Sequence, residues 1–182
     1  PMFKTDKSGF RQTIVGAKYL IYDPFKNYKK KVNLYSWKAN QAFNWHQLIP
    51  AVSVFAGANF TLADNPYYFS QDAAISPKIV LIGQNHLGDG SWVFVTNIIG
   101  DYIGTDFPSY GYGITLTKGF NKKWSGFLEN QGYKSDFYSD SILRGGAAFL
   151  VHNNLQLDAS ISSSLKDTPS ILYGGIGFSW RY

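Results

Sequence analysis

The last eleven residues constrain the fold more than any other stretch of this chain. From Leu172 the sequence reads Leu-Tyr-Gly-Gly-Ile-Gly-Phe-Ser-Trp-Arg-Tyr. A period of two puts Leu172, Gly174, Ile176, Phe178, Trp180 and Tyr182 on one side and Tyr173, Gly175, Gly177, Ser179 and Arg181 on the other. That is the period of a β-strand. Soluble domains avoid an outermost strand that carries Ile, Phe, Trp and Tyr, because an exposed apolar edge templates aggregation. A membrane barrel is the natural exception. Its last strand pairs with its first, and its outward face is apolar and aromatic.

Composition points the same way. Aromatic residues make up 18% of the 182 positions, with 13 Tyr, 14 Phe and 5 Trp. Mean hydropathy is nevertheless only −0.18, and no apolar run approaches the ~20 residues of a membrane helix. A secreted β-sandwich shares this profile and is the rival fold at this level. The chain has no cysteine, which excludes disulfides and thiolate metal sites and suits assembly through an oxidising compartment. The net charge of +5 is modest. No helix-like Lys/Arg block with interleaved aromatics is present, so nucleic acid is not an expected partner. No signal peptide is visible, and the chain begins Pro1-Met2. For an exported protein the numbering then starts after cleavage or inside the mature chain.

Nine segments read as strands, at 10–22, 46–60, 74–87, 91–100, 110–119, 124–134, 142–151, 155–165 and 171–182. In the fourth, Trp92, Phe94, Thr96 and Ile98 share a face opposite Asn97. In the fifth, Tyr110, Tyr112, Ile114 and Leu116 oppose Gly111, Gly113, Thr115 and Thr117. In the eighth, Leu155, Leu157, Ala159 and Ile161 oppose Gln156, Asp158, Ser160 and Ser162. This is apolar toward lipid and polar toward a lumen. Tight turns are expected at 88–90, 119–123 and 152–154, where Asp-Gly and Asn-Asn tolerate the positive φ of short hairpins. Longer polar connections are expected at 61–73, 101–109 and 135–141. Barrels put short turns on the periplasmic side, which would place the chain's end in the periplasm. Single-chain bacterial barrels have even strand numbers, so nine leaves two readings open. Strands lie upstream of this chain, or a tenth lies in the basic stretch 24–45, between Lys31 and Gln41. The first is preferred.

Five segments carry a family resemblance. They are Gly16-Ala17-Lys18-Tyr19, Leu48-Ile49-Pro50-Ala51, Trp124-Ser125-Gly126-Phe127-Leu128-Glu129, Asn154-Leu155-Gln156-Leu157-Asp158 and the closing Gly175-Ile176-Gly177-Phe178-Ser179-Trp180-Arg181-Tyr182. Together they resemble the outer-membrane transporter-like β-barrel family labelled "putative meta-pathway of phenol degradation", over most of residues 14–182. The resemblance implies a barrel with further strands upstream of the Gly-x-Lys-Tyr segment, about twelve in the full-length protein. It also implies small, often hydrophobic cargo. The 24–45 stretch is longer than the family's usual link and reads as an insertion with its own partner.

Charged residues within strands are expected to face the lumen, because a lipid-facing Lys or Arg near mid-membrane costs ~2–4 kcal/mol. These are Lys18, Lys78, Glu129, Arg144 and Asp158, with Gln84, Asn97, Gln131 and Gln156 as neutral hydrogen-bonding companions. Glu129 and Arg144, on neighbouring strands, are the expected pair. The set reads either as a polar path selecting a solute or as an ion-pair network filling a narrow barrel. Trp92, Tyr110, Tyr112, Trp124, Trp180 and Tyr182 fall near strand ends and read as membrane-interface aromatics. A stacking platform for aromatic substrates is the alternative. His46, His86 and His152 show no metal-ligand spacing, and no Gly-x-Ser-x-Gly motif is present. No catalytic residue, metal or cofactor is therefore expected.

The basic stretch carries Lys26, Lys29, Lys30, Lys31 and Lys38 among Tyr28, Tyr35 and Trp37. It reads as a surface for anionic lipid or a partner protein, or as a solvated loop. The 61–73 loop, with Tyr67, Tyr68 and Phe69 after Asp64-Asn65-Pro66, reads as a lid or a protein contact. The sequence thus predicts a single all-β domain over 1–182, an antiparallel transmembrane β-barrel of a Gram-negative outer membrane, with outer-membrane lipid around it. Its expected role is passage or binding of a small hydrophobic solute. The alternative is a non-conducting accessory subunit of a larger outer-membrane complex, docked through 24–45 and 61–73.

Overall fold

The computed structural model describes residues 13–28, 34–40, 44–60, 75–136, 139–166 and 170–180. Among them nine strands follow one another as β1 (Thr13–Tyr22), β2 (Ala51–Phe60), β3 (Ile75–Leu87), β4 (Trp92–Asp101), β5 (Ser109–Gly119), β6 (Trp124–Lys134), β7 (Ser139–His152), β8 (Leu155–Ser164) and β9 (Leu172–Trp180). They form a single sheet in which each strand pairs antiparallel with the next in sequence. Two short helical pieces, α1 (Trp37–Asn40) and a 3-10 turn (Trp45–Leu48), interrupt the connection between β1 and β2. The chain is all-β, as its alternation implies.

The turns follow local chemistry. Gly88 and Gly90 supply φ of 66° and 86° at the β3–β4 turn, a conformation without steric cost for glycine. Asp89 Oδ1 accepts the Ser91 amide at 2.9 Å. The Ser91 hydroxyl and amide together hold the Asp89 carboxyl below its ordinary range. At the β5–β6 turn, Asn121 Oδ1 accepts the amides of Lys123 at 2.8 Å and Trp124 at 2.9 Å.

Four sequence expectations are corrected. Residues 46–50 are not the start of a strand. Residues Trp45–Leu48 form the 3-10 turn, capped by Asn44, whose side chain accepts the His46 amide, and Pro50 precedes β2. Trp37–Asn40 is helical, which removes the tenth strand considered between Lys31 and Gln41 at those positions. The β7–β8 turn at Asn153-Asn154 uses no positive φ. A register shift between Leu150 and His152 supplies the extra residue instead. Loops 101–109 and 135–141 are also shorter than expected, because Asp101, Ser109 and Ser139–Ser141 lie within strands. Residues 61–74 lie outside the described positions.

Residues directly opposite in an antiparallel pair share a face. The register therefore divides the whole sheet into two sides. One row runs through Ala51, Gln84, Val95, Thr115, Glu129, Arg144, Ser162 and Tyr173. A second row, three residues away along each strand, runs through Val54, Leu81, Ile98, Tyr112 and Gly132 on the opposite side. Asn59, Ser76, Asp101, Asp140 and Ser162 are buried, and all lie on the first side. No second layer of described elements packs on that side. The burial comes from the sheet curling over its own side chains. The second side is convex and apolar, with Ile98, Ile176 and Phe178 at 66%, 91% and 77% exposure.

Adjacent glycines in β7 test this curvature. A Cβ on Gly146 would stand 2.5 Å from the Ala159 carbonyl oxygen and 2.6 Å from the Phe127 ring, on the concave side. A Cβ on Gly145, on the convex side, meets nothing closer than 3.9 Å. Gly146→Ala is expected to destabilise the fold by about 1–3 kcal/mol, as overpacking does. Gly145→Ala is expected to stay within about 0.5 kcal/mol of the parent. Urea unfolding midpoints in detergent, followed by heat-dependent gel mobility, measure the difference. Equal effects would contradict the register.

Candidate functional site: the polar concave face

The concave face collects polar side chains because every second residue of every strand points to it. Its most extended feature is a ladder across five strands, spanning roughly 19 Å at the spacing of paired strands. Thr115 Oγ1 donates to Glu129 Oε2 at 2.9 Å. Arg144 donates from one terminal nitrogen to Glu129 Oε1 at 3.3 Å, from Nε to Ser162 Oγ at 3.0 Å, and from the other terminal nitrogen to the Tyr173 hydroxyl at 3.0 Å. Each of these side chains stands directly opposite the next in register. The planar guanidinium suits this position, since its fixed fork of donors bridges two neighbouring strands at once.

A second cluster sits near the end of the sheet that carries the long connections. Lys78 Nζ donates to Asp101 Oδ2 at 2.8 Å. Asn59 donates to Asp101 Oδ1 and, at 3.2 Å, to Ser76 Oγ. These groups come from β2, β3 and β4. Asp101 also accepts the Tyr102 amide at 3.1 Å, which steadies a loop whose Tyr102 has a φ of 54°. Sequence reading found Lys78 but missed Asn59, Ser76 and Asp101. The signal was present: extending the Asn97, Ile99 alternation by one step reaches Asp101.

The register puts all nine residues singled out from sequence, Lys18, Lys78, Gln84, Asn97, Glu129, Gln131, Arg144, Gln156 and Asp158, on this same face. It does not bring them into one network. Gln84 contacts His86 at 2.8 Å, and Gln131 donates to the Tyr133 hydroxyl at 2.6 Å. Among the described residues, Lys18, Asn97, Gln156 and Asp158 make no side-chain hydrogen bond or ion pair. Asp158 lies over Gly177, its Oδ1 2.7 Å from where a Cβ would stand. Its carboxylate therefore faces the concave space.

The convex face is the complement. Trp92, Trp124 and Trp180 stand on it at the tight-turn end, and Tyr110 and Tyr112 toward the other end. Tyr182 lies outside the described residues. Lys118 and Lys134 are the only lysines or acidic residues on this face among the described strands, and both sit at strand ends. Lys118 Nζ lies 4.6 Å from the Trp92 ring centroid and bonds Ser91 Oγ at 2.6 Å. A shallow apolar groove of about 230 Å³ opens beside Gly145, between Leu128, Leu143, Ile161 and Leu172.

The two ion pairs differ in setting. Side-chain exposures are 14% and 8% for Lys78 and Asp101, against 31% and 20% for Arg144 and Glu129. Screening by solvent weakens the more exposed pair. A double-mutant cycle with Lys78→Met and Asp101→Asn is expected to give about 2 kcal/mol of coupling, and one with Arg144→Met and Glu129→Gln about 1 kcal/mol. Unfolding in detergent measures both, and a reversed order would show that position rather than burial governs the pairs.

Searches among curated proteins and among solved structures each gave no match. One family model matches residues 1–182. With its alternating strands in a single antiparallel sheet, the chain belongs to the family described as "Putative MetA-pathway of phenol degradation".

Proposed function

We propose that this chain forms the wall of an outer-membrane β-barrel that passes or binds a small hydrophobic solute. The inverted burial carries the reading. Polar side chains are enclosed on the concave face, and large apolar side chains are exposed on the convex one. In water this would cost roughly 25 cal/mol for each Å² of apolar surface left exposed. In a bilayer it is the favoured arrangement. The absence of charge from the middle of the convex face supports it, as do the Trp and Tyr residues toward both strand ends. In lipid, the free edges of β1 and β9 must be satisfied by each other or by further strands.

The family's description, which names a phenol degradation pathway, supports a small aromatic solute. The ladder and the Lys78–Asp101 cluster would set the polarity of the path, with Asp158 and Lys18 as charges facing the space. A second reading, a closed accessory barrel, has one observation in its favour. The charged groups of the ladder, Glu129 and Arg144, are already paired with each other and with neighbouring side chains.

Planar-bilayer conductance of the purified full-length protein separates these readings. Discrete, reproducible steps are expected, and Glu129→Lys is expected to shift the selectivity of the open state toward anions. Silence from a preparation that passes the heat-mobility test for a folded barrel would overturn passage through an open lumen and favour the accessory role.

A further inference from the structure

The end of the connection between β1 and β2, residues 45–50, is folded onto the outside of the sheet. Along the convex face of β3, Ile75, Pro77, Ile79 and Leu81 are followed by Gly83 and Asn85, then Leu87. This interruption is where the 3-10 turn sits. Asn85 Nδ2 donates to the Gln47 carbonyl at 3.0 Å. Gln47 Nε2 donates to the Gly88 carbonyl at 2.7 Å, and its Oε1 accepts the Gly88 amide at 3.2 Å. A Cβ on Gly83 would stand 3.6 Å from Pro50 Cβ. An Asn facing lipid would be costly, and here the covering turn satisfies it.

Pro24, Phe25, Tyr28 and Asn44 are tied to that turn. His46 stacks on Tyr28 at 4.1 Å between centroids and meets Phe25 edge-on at 5.4 Å. His46 Nε2 lies 2.9 Å from the Pro24 carbonyl, and Asn44 donates to the Tyr28 hydroxyl. What the segment turns outward is apolar and basic. Leu34, Tyr35, Trp37 and Trp45 are 76% or more exposed, and Lys26 and Lys38, the latter next to Trp37 in sequence, are exposed as well. Its anchor at Gly88 adjoins Leu87, which pairs with Trp92, so it stands level with the Trp92–Lys118 contact.

We propose that this segment is an interfacial foot. Trp37, Trp45 and Tyr35 lie in the headgroup layer around the tight-turn end of the barrel, and Lys26 and Lys38 bind the phosphates of anionic phospholipids. Exposed indoles beside lysines are the chemistry of a membrane interface, and each lysine near an anionic surface adds attraction. The proposal rests on the barrel reading above, since only a sheet set in lipid brings its convex rim to the headgroups.

The chain has no cysteine, so single labels are unambiguous. Tyr35→Cys and, separately, Ile98→Cys are spin-labelled in the protein, any cysteine outside these 182 residues being first replaced by serine. They are then reconstituted in vesicles of phosphatidylcholine and phosphatidylglycerol, and depth is read from accessibility to oxygen and to an aqueous quencher. The Tyr35 label is expected at headgroup depth and the Ile98 label among the acyl chains. Adding Lys26→Gln and Lys38→Gln is expected to raise the aqueous accessibility of the Tyr35 label by roughly fivefold or more. An aqueous Tyr35 label with a buried Ile98 label would overturn the foot and leave the barrel standing, with the segment free for a protein partner. An aqueous Ile98 label would overturn the barrel reading, and the foot with it.

Discussion

Everything distinctive about this chain depends on a continuous antiparallel register. Eight consecutive pairings carry the same face assignment from β1 to β9. Shifts occur only between Leu20 and Tyr22 and between Leu150 and His152, both close to the tight-turn end of their strands. Because the side-chain period is two, a slip of one residue anywhere would invert a strand. In β7 a slip would send Arg144 to the convex side and Leu143 to the concave one. If the convex side meets lipid, Arg144 alone would cost ~2–4 kcal/mol there. The alternation of types thus selects the register as firmly as the backbone hydrogen bonds stabilise it.

The concave face shows what a sheet does when it must enclose polar groups. Among the described residues no buried side-chain nitrogen or oxygen lacks a hydrogen-bond partner. The ladder from Thr115 to Tyr173 achieves this with one arginine shared among three acceptors. Solvent screening weakens the partly exposed Arg144–Glu129 pair and its hydrogen bonds. Their effect is geometric: they fix which hydroxyls and carboxylates remain turned to the concave space. Asp158 and Lys18 lie outside these networks and stand on the concave face.

The convex face gives the β1–β2 connection its place. A strand that ran apolar throughout would offer the 3-10 turn no polar anchor. Gly83 and Asn85 open a gap in the outward stripe of β3, and Gln47 and Pro50 fill it. A local break in patterning, which in isolation looks like a flaw in an outward apolar stripe, becomes the seat of a structural element.

The alternation in Leu155–Ser162 and Leu172–Trp180 was legible from the residues alone, and with it the all-β class, the two faces and the opposition of Glu129 to Arg144. Period two is a local property, and a strand's faces are set by its own backbone. The boundary at 46–50 was not legible, because the 3-10 turn is held by Asn85 and Gly88, far away in sequence. The end of β4 at Asp101 was within reach, one step beyond the alternation of Asn97 and Ile99. The basic connection could be recognised by its lysines and aromatics. That it folds back outside β3 depends on Asn85, whose role appears only once the sheet has formed. The sequence by itself determined which residues share a side. The tertiary structure decided which side encloses space, because curvature is a property of the whole sheet and of the contacts that cross it.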